Sequence, residues 1–169
     1  MTKLYETSID FLVSNLTTKI EKLDLFYQFP LRDEHIKTLV TRCNKITELN
    51  VGGCHFITKQ SLNFIIEHLQ ETLVKLNLVD VRFNSSDILK LKGMKKLRLL
   101  CYYWHSDCTE LKKQLPNLQI SSNHDTRIAI PAHPEYILKK EFWEIKVEEE
   151  ELFVNAYPRA FPHFLNQKL

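Results

Sequence analysis

Between Ile20 and Ile120 the chain repeats one six-residue phrase five times. The phrases are Ile20-Glu-Lys-Leu-Asp-Leu25, Ile46-Thr-Glu-Leu-Asn-Val51, Leu73-Val-Lys-Leu-Asn-Leu78, Met94-Lys-Lys-Leu-Arg-Leu99 and Leu115-Pro-Asn-Leu-Gln-Ile120. Apolar residues stand at positions 1, 4 and 6 of each. The central leucines are Leu23, Leu49, Leu76, Leu97 and Leu118, spaced by 26, 27, 21 and 21 residues. One such phrase would carry little weight; five at nearly constant spacing describe a repeating structural unit.

A helix is expected in each unit ahead of the next phrase. Ile9, Leu12, Val13 and Leu16 share one face at helical spacing, as do Ile36, Leu39, Val40 and Cys43, and again Leu62, Ile65, Ile66 and Leu69. Asp33 and Thr58 stand just upstream of the second and third faces, where an oxygen caps a helix start. From Ser85 the units shorten, leaving Asp87 to Leu91 and Thr109 to Leu115 as the last helices. A strand–loop–helix unit with a period of about 20–29 residues is the pattern of leucine-rich repeats. Because each unit buries its apolar face only against its neighbours, the expected fold is α/β: a short leucine-rich-repeat solenoid, with parallel strands on the concave face and helices on the convex face. Residues 1–120 form the repeats and 121–169 a C-terminal tail.

Strand alternation then assigns the surface. Leu23 and Leu25 point inward, while Lys22, Asp24 and Phe26 point to the concave side. The corresponding outward sets are Glu48, Asn50 and Gly52; Lys75, Asn77 and Val79; Lys96, Arg98 and Leu100; and Asn117, Gln119 and Ser121. This surface is expected to pass from acidic at the first two strands to basic at the third and fourth, and broad concave faces are where solenoids bind partners.

Composition narrows the function classes. A net charge of +2 over 169 residues lacks the concentrated basic face of a nucleic-acid binder, and no apolar run reaches the 18 or so residues of a membrane span. Met1 to Ile9 is polar and mixed in charge, unlike a signal peptide. Cys43, Cys54, Cys101 and Cys108 form no Cys-x-x-Cys pair and read as structural thiols in a reducing compartment. Cys54 and His55 are too few for a metal site, and Glu148 to Glu151 reads as a solvated run. With only Gly52, Gly53 and Gly93, there is no phosphate-cradling loop. His105, Asp107 and Cys108 read as a loop rather than a nucleophile pair. No catalytic residue, cofactor or metal is expected, and the chain is not read as an enzyme.

The tail is more specific. Pro131, Pro134, Pro158 and Pro162 break it up, Phe142-Trp-Glu-Ile-Lys-Val147 alternates like a strand, and Ala156 to Leu169 has no clear period. Leu115-Pro-Asn-Leu-Gln-Ile120, His124, Ile128-Ala-Ile-Pro131 and Glu141-Phe-Trp-Glu-Ile-Lys146 together resemble the C-terminal end of the S-phase kinase-associated type of F-box/leucine-rich-repeat protein, the substrate receptors of SCF ubiquitin ligases. Glu48-Leu-Asn50 with Cys54, and Glu71-Thr-Leu73 leading to Leu76-Asn-Leu78, are similar to that family too. The resemblance covers roughly residues 40–83 and 94–147.

This resemblance implies a protein-interaction module in the ubiquitin-like conjugation pathway, found in nucleus and cytoplasm. The tail would fold back over the concave face, with Trp143 and Ile145 covering apolar positions such as Phe26, Val79 and Leu100. Late repeats and tail would hold a Cks-type adaptor and present a phosphorylated cell-cycle regulator. Asn50, Asn77, Arg82, Arg98 and Trp143 are the expected partner-binding residues, Arg82 standing where the family places a basic contact. Nothing before Ile20 has room for an F-box, so SCF subunits are expected only if one is supplied elsewhere; without it the module would be a scaffold or decoy. Whole units of the family are missing between Asp80 and Met94, and Gly53 stands where an aromatic contact is expected.

Overall fold

The computed structural model describes residues 2–102, 108–121 and 153–155. Helix α1 (Thr2–Asn15) leads into β1 (Lys22–Asp24), followed by α2 (Asp33–Arg42), β2 (Glu48–Asn50), α3 (Lys59–Leu69) and β3 (Lys75–Asn77). The later units are shorter: α4 (Ser85–Leu89) runs into a 3-10 turn (Lys90–Gly93), then β4 (Leu99–Cys101), α5 (Thr109–Gln114) and β5 (Gln119–Ser121). A last strand, β6 (Phe153–Asn155), completes a six-stranded sheet of order β5-β4-β3-β2-β1-β6, and every pairing is parallel.

The apolar phrase explains the core. Leu23, Leu49, Leu76 and Leu100 lie side by side in register and share one buried cluster with Ile36, Leu39 and Val40 of α2 and Leu62, Ile65 and Leu69 of α3. All are sealed from solvent, and burying one such side chain stabilises by about 1.5–3 kcal/mol. The helices therefore cover one face of the sheet. The five helices expected from Ile9, Ile36, Leu62 and the two shortened units are present.

The fourth and fifth strands depart from the expected register. Leu100, not Leu97, lies opposite Leu76, and Ile120, not Leu118, lies opposite Leu100. The carbonyl of Val74 accepts from both Arg98 N (2.8 Å) and Leu99 N (3.2 Å), which sets β4 three residues later than the phrase implied. Leu97-Arg-Leu-Leu-Cys-Tyr102 satisfies the same apolar template with Tyr102 at position 6, so the pattern alone was degenerate. Lys96 and Arg98 consequently precede β4, and the residues β4 turns away from the helices are Leu99 and Cys101. These join Val79 in a second, smaller apolar cluster. The expected acidic-to-basic gradient is thus corrected: Lys75 pairs with Glu48 of the adjacent strand at 2.9 Å, and the fourth strand is apolar.

Thr58 caps α3 as expected, its hydroxyl accepting from Gln60 N at 3.2 Å. Asp33 serves a different helix from the one its position suggested. It is the first residue of α2, and its carboxylate crosses to α3: Oδ1 accepts from Thr58 N (2.9 Å), Ser61 N (3.2 Å) and the Ser61 hydroxyl, while Oδ2 accepts from the Thr58 hydroxyl at 2.7 Å. One side chain therefore ties two successive units together.

Cys43, Cys54 and Cys101 are buried free thiols, and Cys108 is half-buried. Cys54 Sγ donates to Leu25 O at 3.1 Å in the neighbouring unit, and burial pushes its thiol up to about 12. It is an inert, structural sulfur at physiological pH.

Candidate interaction surface

One position past each central leucine stands a short polar residue: Asp24, Asn50 and Asn77. Each turns its oxygen back on its own backbone. Asp24 Oδ1 accepts from Phe26 N at 2.9 Å, Asn50 Oδ1 from Gly52 N at 3.1 Å, and Asn77 Oδ1 from Val79 N at 2.9 Å. This Asx turn supplies an acceptor to the amide the sheet ladder leaves over as the strand ends. The three residues are 0%, 1% and 5% exposed respectively. Asn50 and Asn77, expected to face outward toward a partner, are instead buried turn-formers. Alternation put them on the right face, but it says nothing about whether a short polar side chain is used locally.

Three positions further along, Tyr27, Gly53 and Asp80 share a left-handed backbone, with φ of 56°, 70° and 58°. The repeat demands this conformation; glycine meets it without strain, whereas tyrosine and aspartate are strained in it. Tyr27's ring lies flat across Gly53 and its hydroxyl donates to Asp80 Oδ2 at 3.0 Å, so a side chain from the first unit reaches the third. An added Cβ on Gly53 would stand 2.7 Å from Tyr27 Cδ1, and one on Gly52 would stand 2.9 Å from the Phe26 ring. The two adjacent glycines thus make the floor on which Phe26 and Tyr27 rest. Tyr27 of the preceding unit packs its ring over Gly53.

Around this floor the rings meet edge to face, except Phe29 and His55, which are tilted at 50°. Phe26 and Tyr27 are 4.5 Å apart between centroids, Tyr27 and His55 6.2 Å, and Phe29 and His55 5.7 Å. Phe29, His55 and Arg82 occupy one repeat position, six residues past Leu23, Leu49 and Leu76; Phe29 is half-buried and the other two are exposed. Burial first, and then the hydrogen bond and negative charge of Asp80, hold Tyr27 above the usual tyrosine range, so it is a neutral donor at pH 7. Tyr27→Phe removes this donor and is expected to lower stability by about 1 kcal/mol, read from urea unfolding. An unchanged midpoint would show the bond to be energetically idle.

Arg82 is thus exposed beside His55 in a column of equivalent positions. Arg98 is exposed ahead of β4, with Nη1 donating to Lys95 O at 2.8 Å and Leu97 O at 3.1 Å; it is not on the strand face with Asn50 and Asn77. Trp143 lies outside the described residues, as does the expected strand around it. The sequence reading missed the Tyr27–Gly53–Asp80 arrangement, although its signal was present: all three stand four residues past a central leucine.

Chemically this surface offers stacking faces, one imidazole and one guanidinium. Among the described residues no group of three His, Cys, Asp or Glu is placed to hold a metal ion, and no helix is long and apolar enough to cross a membrane. A depression between α4 and α5, lined by Ile88, Leu89, Cys108 and Leu111, holds about 140 Å3, small beside the roughly 300–1,000 Å3 of small-molecule sites. No protein-family model matches the chain, and no curated protein matches it.

Proposed function

We propose that this chain is a protein-interaction module, the substrate-recognition part of an SCF-type ubiquitin ligase receptor acting on phosphorylated cell-cycle regulators. The observation that carries the reading is the stack of equivalent strand–helix units, whose surface positions recur in columns such as Phe29–His55–Arg82. A column of half-buried and exposed side chains at the ends of successive strands suits an extended protein partner better than a small molecule. The tail phrases, Glu141 to Lys146 above all, support the ligase assignment by resemblance, and ubiquitin transfer itself belongs to other subunits.

The finer reading of the fold is a short leucine-rich-repeat solenoid whose tail folds back across the open strand face. Two observations support it. β5 and β6 lie at opposite edges of the sheet, so Ser121 and Phe153 are separated by a width of five strand spacings, about 24 Å. Val79 and Cys101 are fully buried although they lie in the cluster turned away from the helices.

The test is retention of a phosphorylated cyclin-dependent-kinase inhibitor by the immobilised chain, with and without a Cks-type protein. Phosphate-dependent binding, weakened about tenfold or more in Arg82→Glu, is the expected result; equal binding of phosphorylated and unphosphorylated inhibitor would overturn it. Recovery of a cullin and a Skp-type adaptor from extract marks a receptor. Binding of inhibitor or Cks protein without them marks the scaffold or decoy reading.

A further inference from the structure

The last strand joins the sheet out of chain order. β6 does not follow β5 but lies beside β1 at the opposite edge, pairing Lys22 with Phe153, Leu23 with Val154 and Asp24 with Asn155. In register across β1, β2, β3 and β6 the tripeptides read Lys-Leu-Asp, Glu-Leu-Asn, Lys-Leu-Asn and Phe-Val-Asn. An aliphatic residue stands at the register position of Leu23 in each, and Asp or Asn follows it. Phe153-Val-Asn155 is therefore a further copy of the strand phrase, about 130 residues from the strand it pairs with and running in the same direction.

The hydrogen-bond pattern shows what β6 meets. Leu25 N and Tyr27 N point to β2, donating to Asn50 O and Gly52 O, both at 2.8 Å. By alternation the amides of Lys22 and Asp24 point the other way, toward β6. The next amide on that side, Phe26 N, is taken by Asp24 Oδ1 at 2.9 Å. The outer edge of β1 is thus a slot for a three-residue parallel strand, bounded by its own Asx turn. An open edge of this kind is a template for pairing with another chain.

We propose that β6 is a surrogate repeat strand: the distal part of the chain fills, in cis, the slot that the strand of a preceding unit would occupy, and so blocks β1 from pairing with any other strand. The occupant is residues 153–155 of the same molecule. Any further strand supplied to this edge, from the same polypeptide or another, must first displace it. The inference is independent of the ligase reading.

Val154→Pro in the full chain removes a backbone donor and tests the proposal by amide exchange. Protection of the Lys22 and Asp24 amides is expected to fall about tenfold or more while that of β3 changes little, and an added peptide of sequence Glu-Glu-Leu-Phe-Val-Asn-Ala-Tyr is expected to restore it. Unchanged protection at Lys22 and Asp24 would overturn the proposal. Should that variant unfold throughout, Lys22→Cys combined with Phe153→Cys decides the matter under oxidation. A disulfide within one chain supports the surrogate strand. A disulfide between two chains assigns the slot to a second copy, and no disulfide removes β6 from it; either result overturns the proposal.

Discussion

Gly53→Ala is expected to lower stability by about 2–5 kcal/mol. Two separate effects add. At φ +70° any L-side chain is strained, at about 1–2 kcal/mol. The new Cβ would also stand 2.7 Å from Tyr27 Cδ1, and displacing a packed ring costs about 1–3 kcal/mol. For a chain of this size the loss corresponds to a drop in melting temperature of roughly 5–15 °C. The two effects separate in a Tyr27→Ala background, where only the backbone strain should remain, so the Gly53→Ala penalty there falls to about 1–2 kcal/mol. An equal penalty in both backgrounds would show that the ring does not rest on Gly53.

The second large effect is expected at Asp33. Asp33→Ala takes the acceptor from the Thr58 amide and from the Thr58 and Ser61 hydroxyls, Ser61 N keeping its bond to Thr58 O at 2.9 Å, and should cost about 2 kcal/mol or more. Its pH dependence identifies the cause. Burial pushes the Asp33 carboxyl up, but the bonds from Ser61 and Thr58 outweigh it and hold the carboxyl below the usual carboxylate range. A depressed folded-state pKa means the contribution is complete above the unfolded value, about 3.9, and is lost as pH falls through the folded value. The wild-type chain should therefore lose melting temperature more steeply than Asp33→Asn below about pH 4, while Asp33→Asn starts lower at pH 7. Parallel curves for the two proteins would rule out Asp33 as an acid-sensitive tie between the units.

Both effects are ties between units, and neither was visible as such in the sequence. The leucine phrases placed β1, β2 and β3 because position 4 of each must be apolar to reach the core, and Leu23, Leu49 and Leu76 do so in register. They misplaced β4, because Met94, Leu97 and Leu99 satisfy the same template as Leu97, Leu100 and Tyr102, and only the Val74 carbonyl chooses between them; β5 pairs with the shifted β4, so that Ile120 and not Leu118 lies opposite Leu100. The candidate surface was legible in part. Arg82 and Arg98 are exposed, Arg98 ahead of β4 rather than on the strand face, while Asn50 and Asn77 are drawn into Asx turns that a one-dimensional pattern does not distinguish from binding positions.

What the sequence alone determined is the repeating unit, its helical faces and the side of the sheet that is buried, since these follow from local periodicity and the free energy of apolar burial. The tertiary structure decided which units touch through which side chains. Asp33 serves the helix after its own, Tyr27 spans one unit to reach Asp80, and β6 lies beside β1 rather than β5. These are contacts between residues 25, 53 and more than 130 positions apart, and no local pattern specifies a partner at that separation. Register across the sheet does, because each strand's hydrogen bonds can be met only by a neighbour held at one offset.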